Sequence, residues 1–278
     1  MERSKDKFKV GLIQMTSSHV MDDNIRVADE LIRQAASQGA EFILTPEMTT
    51  LLDFESKQVL KKITIERDTS WRHFSSLAKE LGVWLLIGSI AIKVGKKATN
   101  KSFLFSPEGK KIATYDKIHM FDVNLPGEDA YKESSVYVAG TEAVVASLPW
   151  GKVGLSICYD LRFPYLYRAL SHAGAVMRTV PAAFTEQTGT AHWHALLRAR
   201  AIENGAFVFA PAQCGKHTNG RRTYGHSLIV DPWGKIIGDG GNEIGVTVTE
   251  VNMEQVVRAR NSIGSLTHDK NIVIQTVS

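Results

Sequence analysis

Lys152-Val-Gly-Leu-Ser-Ile-Cys158-Tyr-Asp-Leu-Arg-Phe-Pro164 decides the reading of this chain. Its first half is a short apolar run closed by turn chemistry, the pattern of a buried strand. Pro164 suits the first turn of a helix, and residues 165–173 follow with amphipathic spacing. The Cys158 thiol therefore stands at a strand end facing a helix N-terminus, where α/β proteins build active sites. Glu47 follows the apolar run Phe42-Ile-Leu-Thr-Pro46, and Lys117 follows Ile112-Ala-Thr-Tyr115. Each stands just past a predicted strand. A thiol, a carboxylate and an ammonium at three strand ends supply a nucleophile, a base and an electrostatic stabiliser.

Outward from that stretch, strands and helices alternate. Residues 9–14, 41–44 and 84–92 read as strands. Helices over 22–38 and 69–81 carry Ile25, Ala28, Leu31, Ile32 and Ala35, and Trp71, Phe74, Leu77 and Ala78, on one face each. Gly39 and Gly82 end them. Residues 101–106 and 111–115 form a hairpin around Pro107-Glu-Gly109. The segment 116–139 has no periodicity, and unpatterned stretches of that length are usually functional or disordered. Strands at 143–148, 152–157, 175–180 and 206–210 alternate with helices at 165–173 and 191–204. A hairpin (225–230 with 235–237), a strand (246–251) and a short helix (253–260) complete the chain. No linker or repeat divides it. The pattern predicts an α/β fold of mixed sheets with outer helices, in one domain over residues 1–278.

Composition narrows the function. The net charge of +4 comes from scattered Lys and Arg, so nucleic acid is not an expected partner. Met1-Glu-Arg-Ser-Lys5 is polar, and no run is long enough to span a membrane, so neither a signal peptide nor a membrane is expected. Two cysteines far apart, Cys158 and Cys214, fit a reducing, cytoplasmic setting better than a disulfide framework.

Each candidate has a plainer reading. A cysteine in an apolar run is most often a structural thiol, and Cys214 in Ala212-Gln-Cys-Gly215 also follows a strand. Glu47, Lys117 and Glu133 could be surface charges. His192 and His194, two apart on a helix, do not share a face, and no local metal-ligand spacing appears. Arg198, Arg200 and Glu203 are either surface charges or an internal network beneath a site.

Taken together, the blocks Leu44-Thr-Pro-Glu47, Tyr115-Asp-Lys-Ile-His119, Phe121-Asp-Val, Pro126-Gly-Glu128, Glu133-Ser134, Gly154-Leu-Ser-Ile-Cys-Tyr-Asp-Leu-Arg-Phe-Pro164 and His192-Trp … Leu197-Arg-Ala-Arg-Ala-Ile-Glu-Asn204 resemble the nitrilase superfamily of carbon–nitrogen hydrolases. Ala210-Pro-Ala-Gln-Cys-Gly-Lys-His217 and Tyr224-Gly-His-Ser … Asp231-Pro-Trp-Gly234 look like its Nit branch, nearest the deaminated-glutathione amidases. The resemblance implies a four-layer α-β-β-α sandwich. It implies Glu47 as general base, Lys117 as oxyanion stabiliser, Cys158 as nucleophile and Glu133 as a second carboxylate. The backbone N–H of Tyr159 would join Lys117 at the oxyanion, and no metal or organic cofactor is implied. A homodimer or higher homo-oligomer is expected, paired through the helix after the nucleophile and the C-terminal segment. Two positions depart from the pattern. Tyr165 stands where the family has an acid, and Arg178 interrupts an apolar strand. Arg178 is expected to meet a carboxylate, solvent or the pocket rim, or to end a shorter strand.

The implied function is amide hydrolysis through a thioester, with a small carboxylated amide as substrate. Deaminated glutathione comes first and alpha-ketoglutaramate second. Lys117 is expected to lower the thiol pKa while Glu47 takes the proton. An anionic substrate needs basic contacts. Lys216, His217, Arg221 and Arg222 stand just beyond the strand at 206–210, and Arg162 and Phe184 are further candidate contacts. The rivals are an omega-amidase, an N-carbamoyl amino acid hydrolase or a nitrilase proper. Outside that chemistry they are a thiol redox protein with Cys214 as resolving thiol, and a catalytically silent interaction protein.

Overall fold

Gly88 has no room for a side chain, because a Cβ there would lie 2.1 Å from the Thr45 carbonyl oxygen and 2.4 Å from that of Pro46. In the computed structural model this close crossing is where one sheet hands the chain to the candidate site. The structure describes residues 6–53, 56–65, 70–126, 130–218 and 220–277. The polar start at residues 1–5, Thr69 at the head of a predicted helix, and Gly127-Glu128 of one sequence block lie outside the described residues.

The first sheet is built from β1 (Lys7–Gln14), β2 (Phe42–Leu44), β3 (Trp84–Val94), β4 (Lys97–Phe105) and β5 (Lys111–Asp116). It is extended at one edge by a strand from the end of the chain, Gly245–Asn252, which pairs antiparallel with β1. β1, β2 and β3 run parallel, and β4 and β5 return antiparallel. Alternation decides which way each side chain points. Val10, Leu12, Phe42, Leu44, Leu86 and Leu104 enter the core between the sheets. Ile13, Ile43, Leu85, Ile87, Phe103 and Phe105 face the other way, against α1 (Met21–Ser37) and α3 (Ser70–Leu81).

A hairpin, β6 (Asp122–Val123) with β7 (Tyr131–Lys132), interrupts the aperiodic segment. The second sheet then repeats the design. β8 (Val145–Leu148) pairs antiparallel with β9 (Gly151–Leu155), and β9, β10 (Met177–Thr179) and β11 (Phe207–Ala210) run parallel. After a second small hairpin, β12 (Cys214–Lys216) with β13 (Arg222–Tyr224), β14 (Leu228–Val230) and β15 (Ile236–Asp239) complete it. β16 is the edge strand Gly245–Asn252.

The outer face of the second sheet carries α4 (Pro164–His172) and α6 (His194–Asn204). α5 (Glu186–Thr188) reaches α6 through a π turn at Gly189–Trp193. Pro164 is the first residue of α4, and Gly205 ends α6 in the left-handed conformation. The sheets meet through Phe42 against Phe209 and through stacked Phe8 and Trp150, ring centroids 6.2 and 3.9 Å apart. Burying each such ring contributes about 1.5–3 kcal/mol. The layers are helix, sheet, sheet, helix. No described helix is long and apolar enough to cross a membrane.

Three local readings change, and the turn after β14 stands where it was expected. A helix, α2 (Ser56–Ile65), lies where no element was expected. Residues 225–227 leave the predicted strand, because His226 takes φ +52° and Ser227 turns to Gln14. The turn after β14 is held by Asp231, whose carboxylate accepts from the N–H groups of Trp233 and Lys235, both at 2.9 Å.

Arg178 is the third, and a correction. It sits at the middle of β10, fully buried, away from solvent and pocket. Its guanidinium donates to the Met177 carbonyl and to the Ser171 hydroxyl, leaving Nε without a partner. No carboxylate pairs with it among the described residues. Burial, then the nearby Arg260 charge, push its pKa down to about 9. Neutral acceptors from α4 and the strand itself fill the place of an acid.

Candidate active site

Three strand ends converge on one rim. β2 runs into Glu47, β5 into Lys117 and β9 into Cys158. All three side chains are buried. Lys117 Nζ lies 2.9 Å from Glu47 Oε1 and 3.0 and 2.9 Å from the two oxygens of Glu133. Cys158 and Glu47 line the same cavity, and the Glu47 charge acts on the thiol. Ala183 N–H, beyond β10, donates to Glu47 Oε2 at 2.9 Å.

The backbone at this point is unusual. Cys158 has φ +48° and Met48, next to Glu47, has φ +55°. Non-glycine residues hold that conformation only where their surroundings impose it. Cys158 N–H is tied to the Pro181 carbonyl at 2.9 Å. The turn Cys158–Arg162 that follows is 3₁₀-helical, and the N–H groups of a first helical turn have no acceptor inside the helix. Tyr159 lies in that first turn, next to Cys158, and lines the cavity.

Two residues under this turn were not singled out as site residues by sequence. Asp160 is wholly buried and accepts from the N–H of Ile157 (2.8 Å), the N–H of His119 (3.0 Å), the His119 ring (2.7 Å) and the Tyr115 hydroxyl (2.7 Å). It binds the Cys158 turn to the end of β5, two residues from Lys117. His119 stacks on Phe163 and meets the Tyr165 hydroxyl, which accounts for the departure at Tyr165. Arg200, from α6, donates twice to the Leu161 carbonyl and once to Glu203. Arg198 instead reaches the Gly234 carbonyl. The internal network thus comprises Arg200 and Glu203 but not Arg198.

Asn100 was also missed. Its amide donates to Glu47 Oε1 at 2.9 Å and to Glu133 Oε1 at 3.2 Å, bridging the carboxylates. A signal existed: Ala98, Asn100, Ser102 and Leu104 share one face of β4, and that core-facing row turns polar toward the rim. Gln213 is a second bridge, joining Ser17 and the Glu47 carbonyl from the facing half of the molecule, at 2.8–2.9 Å. Gln213-Cys-Gly215 is thus a clamp on the carboxylate loop. Cys214 itself is buried beside Thr16.

The electrostatics are opposed. Burial works against the Lys117 ammonium, but Glu133 and Glu47 outweigh it and hold its pKa well above the ordinary lysine value. Burial, then the negative field of Glu47, push the Cys158 thiol well above its ordinary value, although Lys117 pulls the other way. Lys117 thus lowers the thiol pKa as expected, but burial and Glu47 outweigh it. Both cysteines are free.

The cavity at this rim encloses about 240 Å³. Glu47, Lys117, Glu133, Cys158, Tyr159, Phe184, Arg221 and Arg222 line it. Arg221 lies over the Tyr131 ring, and Arg222 pairs with Glu186 at 2.8 Å. Three candidate contacts are not brought to it. Lys216 is exposed on β12. His217 is buried between the Ser17 carbonyl and the Thr223 hydroxyl, where burial lowers its pKa. Arg162 lies behind the wall, over the rings of Tyr159 and Phe184.

A buried thiol, a carboxylate and an ammonium at the rim of two stacked mixed sheets define a class of thiol hydrolase. The carbon–nitrogen hydrolase family model matches residues 9–261, and this chain belongs to that family, within the nitrilase superfamily. It is a hydrolase of non-peptide carbon–nitrogen bonds. Within the family it is similar to the deaminated glutathione amidase of Synechocystis sp., 42% identical over 261 residues, covering 92% of this chain and 96% of the relative. The fold is that of the C. elegans NitFhit protein, with TM-score 0.90 and 32% identity over 95% of this chain. This chain spans 65% of that longer protein. A Nesterenkonia sp. amidase, 25% identical with TM-score 0.78 over 94% of this chain and 95% of that one, carries an acetamide moiety on its active-site cysteine in a Glu-to-Gln mutant.

Proposed function

We propose that this chain is an amidase that hydrolyses deaminated glutathione, with Cys158 as nucleophile, Glu47 as general base and Lys117 as oxyanion stabiliser. The observation that carries the proposal is the convergence of all three groups on one cavity. Because the resting thiol is held protonated, its proton passes to Glu47 as sulfur attacks the amide carbon. The tetrahedral oxyanion is met by Lys117 and by Tyr159 N–H. An ammonium has three N–H bonds; at rest they meet Glu47 and both oxygens of Glu133, and one of the two Glu133 contacts gives way to the oxyanion. Glu47 returns the proton to the leaving nitrogen, and ammonia departs as the thioester forms. Glu47 then takes a proton from water, which attacks the thioester and releases the acid and the thiol. Glu133 and Asn100 hold Lys117 and Glu47 in register throughout.

The choice of substrate is supported by the names of the relatives and by the rim. Arg221, Arg222 and Lys132 give the cavity mouth a basic edge suited to a carboxylated amide. Contacts with the remote peptide portion of deaminated glutathione there contribute to turnover. The test is the ratio of kcat/KM for deaminated glutathione to that for alpha-ketoglutaramate, expected above one. A ratio below one makes this chain an omega-amidase. Activity on neither, with hydrolysis of an N-carbamoyl amino acid, overturns the substrate assignment and leaves the thiol mechanism standing.

The proposal extends to a single catalytic domain that works as a homo-oligomer in a reducing cytoplasm. Free buried thiols fit that setting. Tyr165 and the run Ile272, Val273, Ile274 and Val277 leave apolar surface exposed, as an interface would. Sedimentation of a monomer at micromolar concentration would remove the oligomer from the proposal.

A further inference from the structure

We propose that His194, His226 and Asp239 form a binding site for a divalent first-row transition ion, of the zinc or cobalt type, outside the hydrolytic cavity. The three come from separate elements: His194 opens α6, His226 stands before β14, and Asp239 ends β15. One ligand atom from each lies within 4.8 Å of the others. The carboxylate sits between the imidazoles, with His226 Nδ1 at 2.9 Å from Asp239 Oδ1 and His194 Nε2 at 3.7 Å from Oδ2. Sequence reading expects no metal, because these ligands are 32 and 13 positions apart and no local spacing rule joins them.

The surroundings aim the ligands. His226 is pinned at both backbone ends, its N–H on the Gly241 carbonyl at 2.7 Å and its carbonyl accepting from Trp193 Nε1 at 2.8 Å. Its ring stacks on Tyr224, centroids 4.7 Å apart. Asp239 Oδ1 accepts from Gly241 N–H at 2.9 Å. Partners of this kind orient ligands and tune affinity. Two imidazoles and one carboxylate suit zinc, cobalt, nickel or copper rather than magnesium or calcium. Metal–ligand bonds of about 2.0–2.2 Å need the donors nearer than they stand, a side-chain adjustment of about 1 Å. All three side chains reach the surface, so water can fill the remaining positions. Trp193, which holds His226, also packs on Phe184 of the cavity wall, centroids 4.9 Å apart.

The test uses tag-free protein treated with iodoacetamide, so that the cavity thiol cannot take the metal. Cobalt chloride is titrated and followed by visible absorption, and zinc chloride by calorimetry. One equivalent per chain is expected, with a cobalt spectrum of nitrogen and oxygen ligation. His194→Gln, Asp239→Asn and His226→Asn should each weaken binding at least about 10-fold. Asn is chosen at 226 because it tolerates the left-handed backbone. His192→Gln should bind as the parent does. Zinc should raise the melting temperature of the parent but not of the three variants. No uptake at millimolar cobalt, or uptake unchanged in all three variants, overturns the site and leaves three side chains joined by hydrogen bonds alone.

Discussion

Lys117 and Arg178 are both cations buried to 2% exposure or less, and their surroundings are opposites. Lys117 ends a strand and touches two carboxylates. Arg178 occupies the middle of a strand and touches a carbonyl and a hydroxyl. The lysine pKa is driven up and the arginine pKa down. A buried charge costs several kcal/mol of hydration in either place. At the rim that cost holds two acids and a thiol in reactive register; inside β10 no comparable return is visible. The difference teaches that burial alone marks nothing: the partners distinguish a working charge from a tolerated one.

The strongest way to break the comparison is Lys117→Met. It keeps the length of the side chain and leaves Glu47 and Glu133 buried together with only Asn100 between them. Removing one partner of a buried pair costs about 3–5 kcal/mol, and turnover should fall at least ~10²–10³-fold with the proposed oxyanion donor gone. Because the lysine pKa is raised on folding, its stabilising contribution is fully present below the ordinary value of 10.5 and is lost only as pH climbs through the higher folded value. The parent and Lys117→Met should therefore differ in melting temperature throughout neutral pH. Equal melting temperatures would make the two cations alike after all.

Glu47→Gln sharpens the contrast by separating reactivity from catalysis. Burial still raises the thiol pKa, but the Glu47 charge that adds to it is gone and Lys117 remains. The pH profile of thiol alkylation by iodoacetamide should move to lower pH. Amide hydrolysis should nonetheless fall ~10²–10⁴-fold without the base. An alkylation profile that stays in place, or moves up, would mean that Glu47 does not set the state of the thiol.

The two regions were also unequally legible. Apolar alternation in β1 to β4 and in β8 to β11 carried both sheets, and Pro164 and Gly205 marked α4 and α6. Glu47, Lys117 and Cys158 were visible as polar residues directly after apolar runs. Their convergence is a tertiary fact that local pattern cannot supply. Glu133, in an aperiodic segment, was visible only through resemblance. Asn100 and Gln213 act on residues 33 to 166 positions away, and Asp160 reaches Tyr115 and His119 45 and 41 positions away, so these roles left no local trace. Arg178 was conspicuous, yet its partners were misjudged because Ser171 approaches from a different element.

Asp160→Asn tests a subtler link, since it removes no charge from the cavity itself. An amide cannot satisfy the four donors that now converge on the carboxylate. The Cys158 turn and the end of β5 should lose registry. A displacement near 1 Å costs up to ~10²-fold, and the loss should fall on kcat with KM little changed. A loss confined to KM, or a shift in thermal stability with kcat intact, would reduce Asp160 to a structural hydrogen-bond acceptor.

Arg178→Leu carries the smallest expected effect and tests the other half of the comparison. The substitution removes a charge whose pKa burial and Arg260 depress to about 9. Below that pH the folded and unfolded chains both hold the proton, so the penalty is fully present at neutrality. It eases only as pH rises above about 9, where the folded state sheds the proton first. Leucine carries no such penalty at any pH, although its smaller side chain gives back part of the gain as a void. Apolar replacement of buried charged groups has been neutral or stabilising by about 1–4 kcal/mol. The variant should therefore melt at or above the parent temperature at pH 7, and any advantage should shrink toward pH 10. Because Arg178 lies away from the cavity, kcat and KM should not move. A lower melting temperature at pH 7, or a change in kcat/KM, would show that the guanidinium supports the fold or the site through Ser171, and the contrast with Lys117 would fail.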